Sequence, residues 1–277
     1  MPETRFADIR RFDSIDSTNR YLLDEARAGA PEGVVAVADH QTAGRGRLGR
    51  SWEAPAGANL LMSVLLRPDI GPGDRHLATT AVALAAVDAI GSLELPGGPD
   101  VPGVSIKWPN DLVDSAGRKL AGVLAESDLA PNTSAKGVSA PAAPANEQPA
   151  PVVVGIGINV NWPADEAELP PELRGLAVSL RQLVGAPVDR EALLEALLSC
   201  LGSRVDDLAS EDGRGRLAGD LLAACSTVGT RVRVDLPDGS FEGTAAGISP
   251  EGHLVVATGG ATRTVVAGDV VHVRPGS

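Results

Sequence analysis

The chain of 277 residues has few aromatic side chains, two cysteines and no long apolar run. Because no apolar stretch approaches the thickness of a bilayer, we expect no membrane-spanning helix and no membrane partner. The N-terminus lacks the apolar core of a secretory signal. Cys200 and Cys225 lie in apolar surroundings without metal-ligand spacing, as expected of core thiols. These absences predict a cytoplasmic globular protein.

Lysine is also scarce. The three lysines are Lys107, Lys119 and Lys136, and arginine supplies the remaining cations. With 36 acidic against 24 basic residues, the formal net charge is −12. Proteins that bind duplex DNA or RNA need a basic face that neutralises phosphates. The charge therefore argues against nucleic acid as the main partner.

One segment nevertheless concentrates positive charge. Residues 40–52 read HQTAGRGRLGRSW and set Arg45, Arg47 and Arg50 among three glycines. Glycine lets the backbone approach a ligand closely, and the planar guanidinium pairs with carboxylate and phosphate. The segment predicts an anion site. A solvated surface loop, or an Arg-Gly segment that binds nucleic acid, would have the same sequence features.

The spacing of apolar residues predicts an α+β fold. Short apolar runs bounded by turn residues predict strands at residues 12–15, 34–38, 59–66, 104–107, 120–126 and 152–160. Helices are expected after the cap-forming Ser17 and over residues 76–90, 190–208 and 217–225.

The pattern changes in the C-terminal part of the chain. Short strands are expected at residues 231–236, 241–248, 253–257, 262–266 and 270–273. Five short strands in so few residues suggest a small closed barrel. We therefore divide the chain into a mixed α+β domain, residues 1–222, and a barrel, residues 227–275. Residues 127–151, rich in Ala and Pro, are interpreted as a disordered insertion.

Polar residues cluster where the predicted strands end, so we expect them to converge on one pocket. Lys119 opens the strand at 120–126. Its stem can pack there while its ammonium neutralises charge that develops on a phosphate, although an ordinary edge lysine is the alternative. Residues 155–157, Gly-Ile-Gly, do not fit the dinucleotide fingerprint, because Val160 stands at the third glycine position and no helical pattern follows.

Five motifs, in this order, resemble the biotin–protein ligase family: STN (17–19), GRGRLGRSW (44–52), KWPNDL (107–112), KLAG (119–122) and GIGINVN (155–161). The resemblance implies a mixed β-sheet catalytic domain flanked by helices, similar to class II aminoacyl-tRNA synthetases, with an SH3-like C-terminal barrel. It also implies a short form without an N-terminal DNA-binding domain, because little sequence precedes the first strand. No DNA partner is therefore expected.

The resemblance implies an ATP-dependent ligase. Enzymes of this family activate biotin with ATP and Mg²⁺ to give biotinyl-5′-AMP and pyrophosphate. They then transfer biotin to one lysine of a biotin carboxyl carrier protein or domain of a biotin-dependent carboxylase. Because a carboxylate attacks the α-phosphorus, two anions must meet, and cations are needed where they do.

The family pattern also implies the site residues. The catalytic positions match Lys119, Arg45, Arg47 and Asp111. Asp111 could hold Mg²⁺ or help to deprotonate the acceptor lysine. The family pattern assigns no metal ligands beyond this alternative. The biotin contacts match Ser17, Thr18, Asn19, Gln41, Arg45, Gly46, Arg47, Lys119 and Gly122. The adenylate contacts match Arg45, Arg47, Arg50, Trp52, Asn110, Lys119 and Asn159.

Two other functions compete with this interpretation. Lipoate–protein ligase has a related fold and a parallel reaction, but it lacks the GRGRxGR and KWPND segments that this chain has. A non-catalytic nucleic-acid-binding protein would use the Arg-Gly segment. It predicts salt-sensitive RNA binding and no release of pyrophosphate from ATP.

Overall fold

The computed structural model describes residues 5–93, 103–127, 149–236, 239–266 and 268–272. One sheet contains β1 (Ile9–Phe12), β2 (Val35–Ala38), β3 (Leu60–Leu66), β4 (Ser105–Lys107), β5 (Asp111–Val113), β6 (Lys119–Glu126) and β7 (Val152–Ile158). The helices are α1 (Thr18–Arg27), α2 (Leu77–Ser92), α3 (Leu180–Val184), α4 (Arg190–Leu208) and α5 (Glu211–Ala224). Short 3₁₀ turns lie at Arg47–Gly49, Glu166–Glu168 and Pro171–Leu173.

The first sheet is mixed, with strand order β1-β2-β3-β7-β6-β5-β4. β1 and β2 are parallel, and the other neighbours are antiparallel. Successive side chains of a strand face opposite sides of the sheet. The paired Met62 and Ile156 belong to the main core, whereas the paired Leu65 and Val153 pack with α1. The expected mixed sheet flanked by helices is therefore confirmed.

The helices follow from local signals. Ser17 caps α1 by accepting from the backbone of Arg20, and the helix ends before Gly29, which has a φ of +90°. α2 is apolar on all sides, which is typical of a fully buried helix, and it packs between the sheet and α4. Asp189 caps α4, whose leucines form one buried face, so the helix predicted at 190–208 is confirmed.

Several predicted boundaries were wrong. The first strand is Ile9–Phe12 rather than 12–15, because Ser17 already caps α1 and Ile15 makes one isolated bridge. The helix predicted at 217–225 begins at Glu211, where Ser210 caps it and two acidic residues favour the first turn. The strand predicted at 152–160 ends at Ile158. The short strand β5, which Asp111 opens, was not predicted.

The second sheet contains β8 (Arg231–Leu236), β9 (Gly239–Ile248), β10 (Leu254–Thr258), β11 (Ala261–Val265) and β12 (Asp269–His272). Its strands are antiparallel in the order β11-β10-β9-β8-β12. Among the described residues no ladder joins β11 to β12. Five short antiparallel strands in one sheet agree with the small barrel expected from the strand count.

Some predictions lie outside the described residues. They concern most of the insertion at 127–151, of which residues 128–148 are not described, and the end of the predicted barrel beyond residue 272.

Cys225 is buried and Cys200 half-buried, and burial raises the pKa of the Cys200 thiol. None of the helices among the described residues combines the length and the apolar composition that a membrane span requires.

The second sheet packs on the first domain through polar contacts around Trp108. The Trp108 backbone N–H donates to Thr227 Oγ1 at 3.0 Å, and its indole N–H donates to the Gly252 carbonyl at 3.3 Å. The rings of His76 and His253 stack with centroids 4.5 Å apart. The second sheet therefore fixes the start of the turn at residues 108–110, which leads into β5.

Two histidines in the C-terminal unit, one just before β10 and one in β12, make stability depend on pH. Burial lowers the pKa of His253 and of His272 below the ordinary 6.5, and the neighbouring His76 and Lys107 add to the respective shifts. Unfolding restores the ordinary value, so below about pH 6.5 the unfolded chain binds more protons and the folded state loses stability. We expect the free energy of unfolding, measured by urea titration, to fall between about pH 7.5 and 5.5.

The control is the double variant His253→Gln/His272→Gln, which should lose less stability over the same pH interval. Equal pH slopes for the two proteins would contradict this account of the two histidines.

Candidate active site

A narrow cavity of about 60 Å³, the polar cavity, lies between the first sheet, the start of α1 and the loop at residues 44–52, here called the arginine loop. The structure brings to it most of the residues predicted from the motifs: Ser17, Thr18, Asn19, Gln41, Arg45, Gly46, Arg47, Trp52, Asn110, Lys119 and Gly122. Arg50, Asp111 and Asn159 lie elsewhere.

The floor of the polar cavity is a buried hydrogen-bond network. Gln41 Oε1 accepts from the Thr18 N–H at 2.8 Å, and Ser63 Oγ donates to Asn19 Oδ1 at 2.6 Å. The hydroxyl oxygens of Thr18 and Ser63 are 2.7 Å apart. Because buried polar groups that hold one another keep a fixed geometry, the floor presents prearranged hydroxyl and amide groups. Ser63 was not predicted, since it lies inside the apolar run of β3.

Glycines keep this face of strand β7 free of side chains under the polar cavity. A Cβ on Gly155 would lie 2.2 Å from Asn19 Oδ1, and a Cβ on Gly157 would lie 2.6 Å from Cε2 of Trp52. Both distances are far below van der Waals contact. The motif at residues 155–161 therefore serves close packing against Asn19 and Trp52, in agreement with the rejection of a dinucleotide fingerprint.

The arginine loop folds over the polar cavity. Its ends meet where the Trp52 N–H donates to the Gly44 carbonyl at 2.9 Å. Arg45 reaches β6 and contacts the Glu126 carboxylate at 2.9 Å. Arg47 donates to Asn110 Oδ1 at 2.9 Å and to the Gly268 carbonyl, just before β12, at 3.1 Å. The loop is thus held by both units of the chain.

Lys119 and Asp111 form an ion pair beside the loop. Lys119 Nζ is 2.8 Å from Asp111 Oδ1 and 5.6 Å from the ring centroid of Trp52. The two residues open the adjacent strands β6 and β5, so the sheet fixes their separation. Trp52 Nε1 is buried and, in the described part of the chain, has no hydrogen-bond partner.

A second cavity of about 210 Å³, the cationic cavity, adjoins the polar cavity. Four cations line it: Arg47, Arg50, Lys107 and Lys119. Asp111 is the one carboxylate among its described lining residues. In a chain of formal net charge −12, such a concentration of positive charge attracts and binds anions. Lys107 was part of a recognised motif, but no role had been predicted for it.

A wide groove of about 880 Å³, the apolar groove, runs from Trp52 and Lys119 along one side of the first domain. Its apolar wall includes Trp162, Leu169, Leu173 and Leu176. Leu173 and Leu176 are 41% and 52% exposed, so this wall presents apolar surface to solvent. Sequence reasoning missed this wall, because the leucines lie in irregular chain around a 3₁₀ turn.

Asn159, a predicted adenylate contact, is buried outside the polar cavity and borders the apolar groove. Its amide Nδ2 donates to the Val178 carbonyl at 3.1 Å, and its Oδ1 accepts from Asn59 at 3.2 Å. The polar atoms of its side chain therefore hold the end of β7 against the segment before α3.

The described residues contain no group of three or more side chains of the His, Cys, Asp or Glu type that could hold a metal. Mg²⁺ is often bound by one or two carboxylates together with substrate phosphates. Asp111 in the cationic cavity fits that mode of binding, whereas a site made of protein ligands alone does not fit these residues.

Known families and proteins resemble this chain along most of its length. A model described as the Biotin/lipoate A/B protein ligase family matches residues 11–139, and a model of the Biotin protein ligase C terminal domain matches residues 227–273. The biotin--[acetyl-CoA-carboxylase] ligase of Mycobacterium tuberculosis is 38% identical over 93% of this chain and 86% of its own length. The bifunctional ligase/repressor BirA of Bacillus subtilis is 33% identical over 93% of this chain and 72% of its own length.

A solved structure has the same fold. The biotin protein ligase from Aquifex aeolicus in complex with biotin and ATP superposes with a TM-score of 0.74 at 26% identity, covering 97% of this chain and 100% of that one. Sequence and fold therefore agree over both units. The chain belongs to the biotin–protein ligase family.

Proposed function

We propose that this protein activates biotin with MgATP to biotinyl-5′-AMP and transfers the biotinyl group to a lysine of a biotin carboxyl carrier protein or domain. The observation that carries the proposal is the junction of two different cavities. The polar cavity and the cationic cavity share Arg47, Asn110 and Lys119 along their border. A ligand with a polar ring and an acidic tail, such as biotin, would therefore meet a polyphosphate at these residues.

The polar cavity suits the ureido ring of biotin. That ring offers two N–H donors and one carbonyl acceptor, which hydroxyl and amide groups can pair. Ser17, Thr18 and Gln41 supply such groups at the start of α1 and beside it. Gly155 and Gly157 leave a flat surface on which fused rings can lie. A dithiolane ring has no such donors and acceptor, so this floor favours biotin over lipoate.

ATP would occupy the other two spaces. The cationic cavity suits its phosphates, and the apolar groove offers Trp162 and Leu176 as contacts for adenine. Mg²⁺ would be held by the phosphates and Asp111, and it would neutralise charge on them. Arg50 lines both spaces and matches its predicted adenylate role.

Activation requires a carboxylate to approach a phosphate. Arg47 and Lys119 line both cavities, so they can neutralise the two anions in their reacting positions. Asp111 orients Lys119 through the ion pair at 2.8 Å. Positioned cations in a partly water-free site stabilise developing charge far more than they would in water. Arg45 contacts Glu126, and this contact holds the loop above the polar cavity.

Transfer requires a neutral lysine from the carrier to attack the mixed anhydride. The biotinyl carbonyl would form an amide bond with the lysine nitrogen, and AMP would leave. Because water also attacks such an anhydride, the intermediate must be covered. The arginine loop provides the cover, with Trp52 packed on Gly122 and Gly157. A carrier protein as partner and a cytoplasmic location are parts of this proposal.

The proposal is tested by biotin-dependent exchange of labelled pyrophosphate into ATP, followed by transfer of labelled biotin to candidate carrier domains. We expect exchange with biotin and none with lipoate. Exchange that requires lipoate instead would indicate a lipoate ligase. RNA binding without any exchange would indicate the nucleic-acid-binding alternative.

Lys119→Ala removes the ammonium at the border of the two cavities. We expect biotin binding to stay within about tenfold of the unsubstituted protein, while adenylate formation falls about 10²-fold or more. Calorimetry measures the first quantity and pyrophosphate exchange the second. The control is Arg231→Ala, which removes an exposed ion pair with Glu242 in the second sheet. Near-normal exchange by Lys119→Ala would remove Lys119 from the mechanism.

Gly155→Ala tests the floor of the polar cavity. The added Cβ would meet Asn19 Oδ1 at 2.2 Å and Ser63 Oγ at 3.1 Å, so this network must shift. We expect a loss of about 1–3 kcal/mol in the free energy of unfolding and at least a tenfold weaker binding of biotin. Gly247→Ala is the matched control, because nothing lies within 4 Å of its added Cβ. Equal biotin affinity in the two variants would show that the network does not bind the ring.

A further inference from the structure

Lys107 is a cation in the site without an assigned role. Lys119 is paired with Asp111, but the side chain of Lys107 makes no hydrogen bond or ion pair with any part of the chain that the structure describes. It is also one of the three lysines of a chain that otherwise uses arginine. The residue is half-buried, but its unpaired ammonium reaches solvent, so an added anion can approach it.

The strand register places Lys107 beside the reacting groups. Lys107 of β4 lies directly opposite Asp111 of β5 in the antiparallel pair. Directly opposite residues project from the same face of a sheet, so the side chains of Lys107 and Asp111 share one face. Asp111 in turn contacts Lys119. The single carboxylate of the cationic cavity is therefore already engaged on one side of Lys107.

Among the described residues that line the cationic cavity, those of the second sheet carry no charge. The described residues of β12 that border the cationic cavity are Val270 and Val271, and His272 borders the apolar groove. The pKa of His272 is lowered mainly by burial and also by the charge of Lys107. The ring is therefore neutral at physiological pH. Arg47, Arg50 and Lys119 are further cations. The surroundings of Lys107 therefore favour an added anion of more than one charge.

The two cavities indicate which anion this is, on the premise of the proposed function. Arg47 and Lys119 line both cavities, whereas Lys107 lines the cationic cavity and the adjoining apolar groove but not the polar cavity. In phosphoryl and nucleotidyl transfer, the attacking and leaving oxygens lie roughly in line across the phosphorus. The biotin carboxylate approaches from the polar cavity, so the leaving group lies on the opposite side, next to Lys107.

We propose that Lys107 binds the β- and γ-phosphates of ATP and stabilises the charge of the departing pyrophosphate. A carboxylate oxygen of biotin forms a bond to the α-phosphorus. The bond from this phosphorus to the oxygen that bridges to the β-phosphate breaks, and its electron pair stays on pyrophosphate. Lys107 thus acts in activation and has no part in transfer, whereas Lys119 remains next to the adenylate in both steps.

The test separates the two half-reactions in Lys107→Met, which keeps the apolar stem and removes the charge. Biotin-dependent pyrophosphate exchange should fall about 10²-fold, and the KM for pyrophosphate should rise. Transfer from synthetic biotinyl-5′-AMP to a carrier domain, and the Kd for biotin, should stay within about threefold of the unsubstituted protein. Lys107→Arg, which restores a cation, should recover most of the exchange. The control is Arg231→Met on the exposed face of the second sheet.

Normal exchange in Lys107→Met would overturn the proposal. Equal losses in exchange and in transfer would also overturn it, because they would show that Lys107 only supports the structure around Asp111. Should Lys107→Met fail to fold, Lys107→Gln is subject to the same two outcomes. An unsubstituted protein without biotin-dependent exchange would instead refute the proposed function, and this inference with it.

Discussion

The ion pair between Lys119 and Asp111 is the contact on which the site depends. It places an ammonium at the border between a polar cavity, built by the start of α1, and a cationic cavity next to the second sheet. Because the two residues open adjacent strands, the pairing of those strands fixes the distance between them, and no loop conformation is involved. Rigid elements hold reacting groups more precisely than loops do. The arginine loop places Arg47 next to this ion pair.

Residues next to the strands of the second sheet also contribute to this centre. The Gly268 carbonyl accepts from Arg47, and Trp108 is fixed at its backbone by Thr227 and at its indole by Gly252. The turn that follows Trp108 carries Asn110, which also binds Arg47. The position of the guanidinium thus depends on both units at once. The two units of the chain therefore share the task of positioning Arg47.

Much of the fold and of the site could be predicted from sequence, because the signals are local. The leucine face and the Asp189 cap define α4, and glycines, arginines and Lys119 stand in short motifs. The remainder depends on contacts between distant segments. Ser63 looks like part of an apolar strand, and its role follows from facing Thr18 and Asn19. The start of α5 was hidden by helix-weakening glycines at positions 213, 215 and 219.

The most direct test of this account is a crystal structure of the protein with biotinyl-5′-AMP. The account predicts the fused rings on the floor formed by Thr18, Gln41 and Ser63, and the phosphate within hydrogen-bond distance of Lys119 and Arg47. A phosphate bound away from Lys119, or rings bound outside the polar cavity, would contradict it.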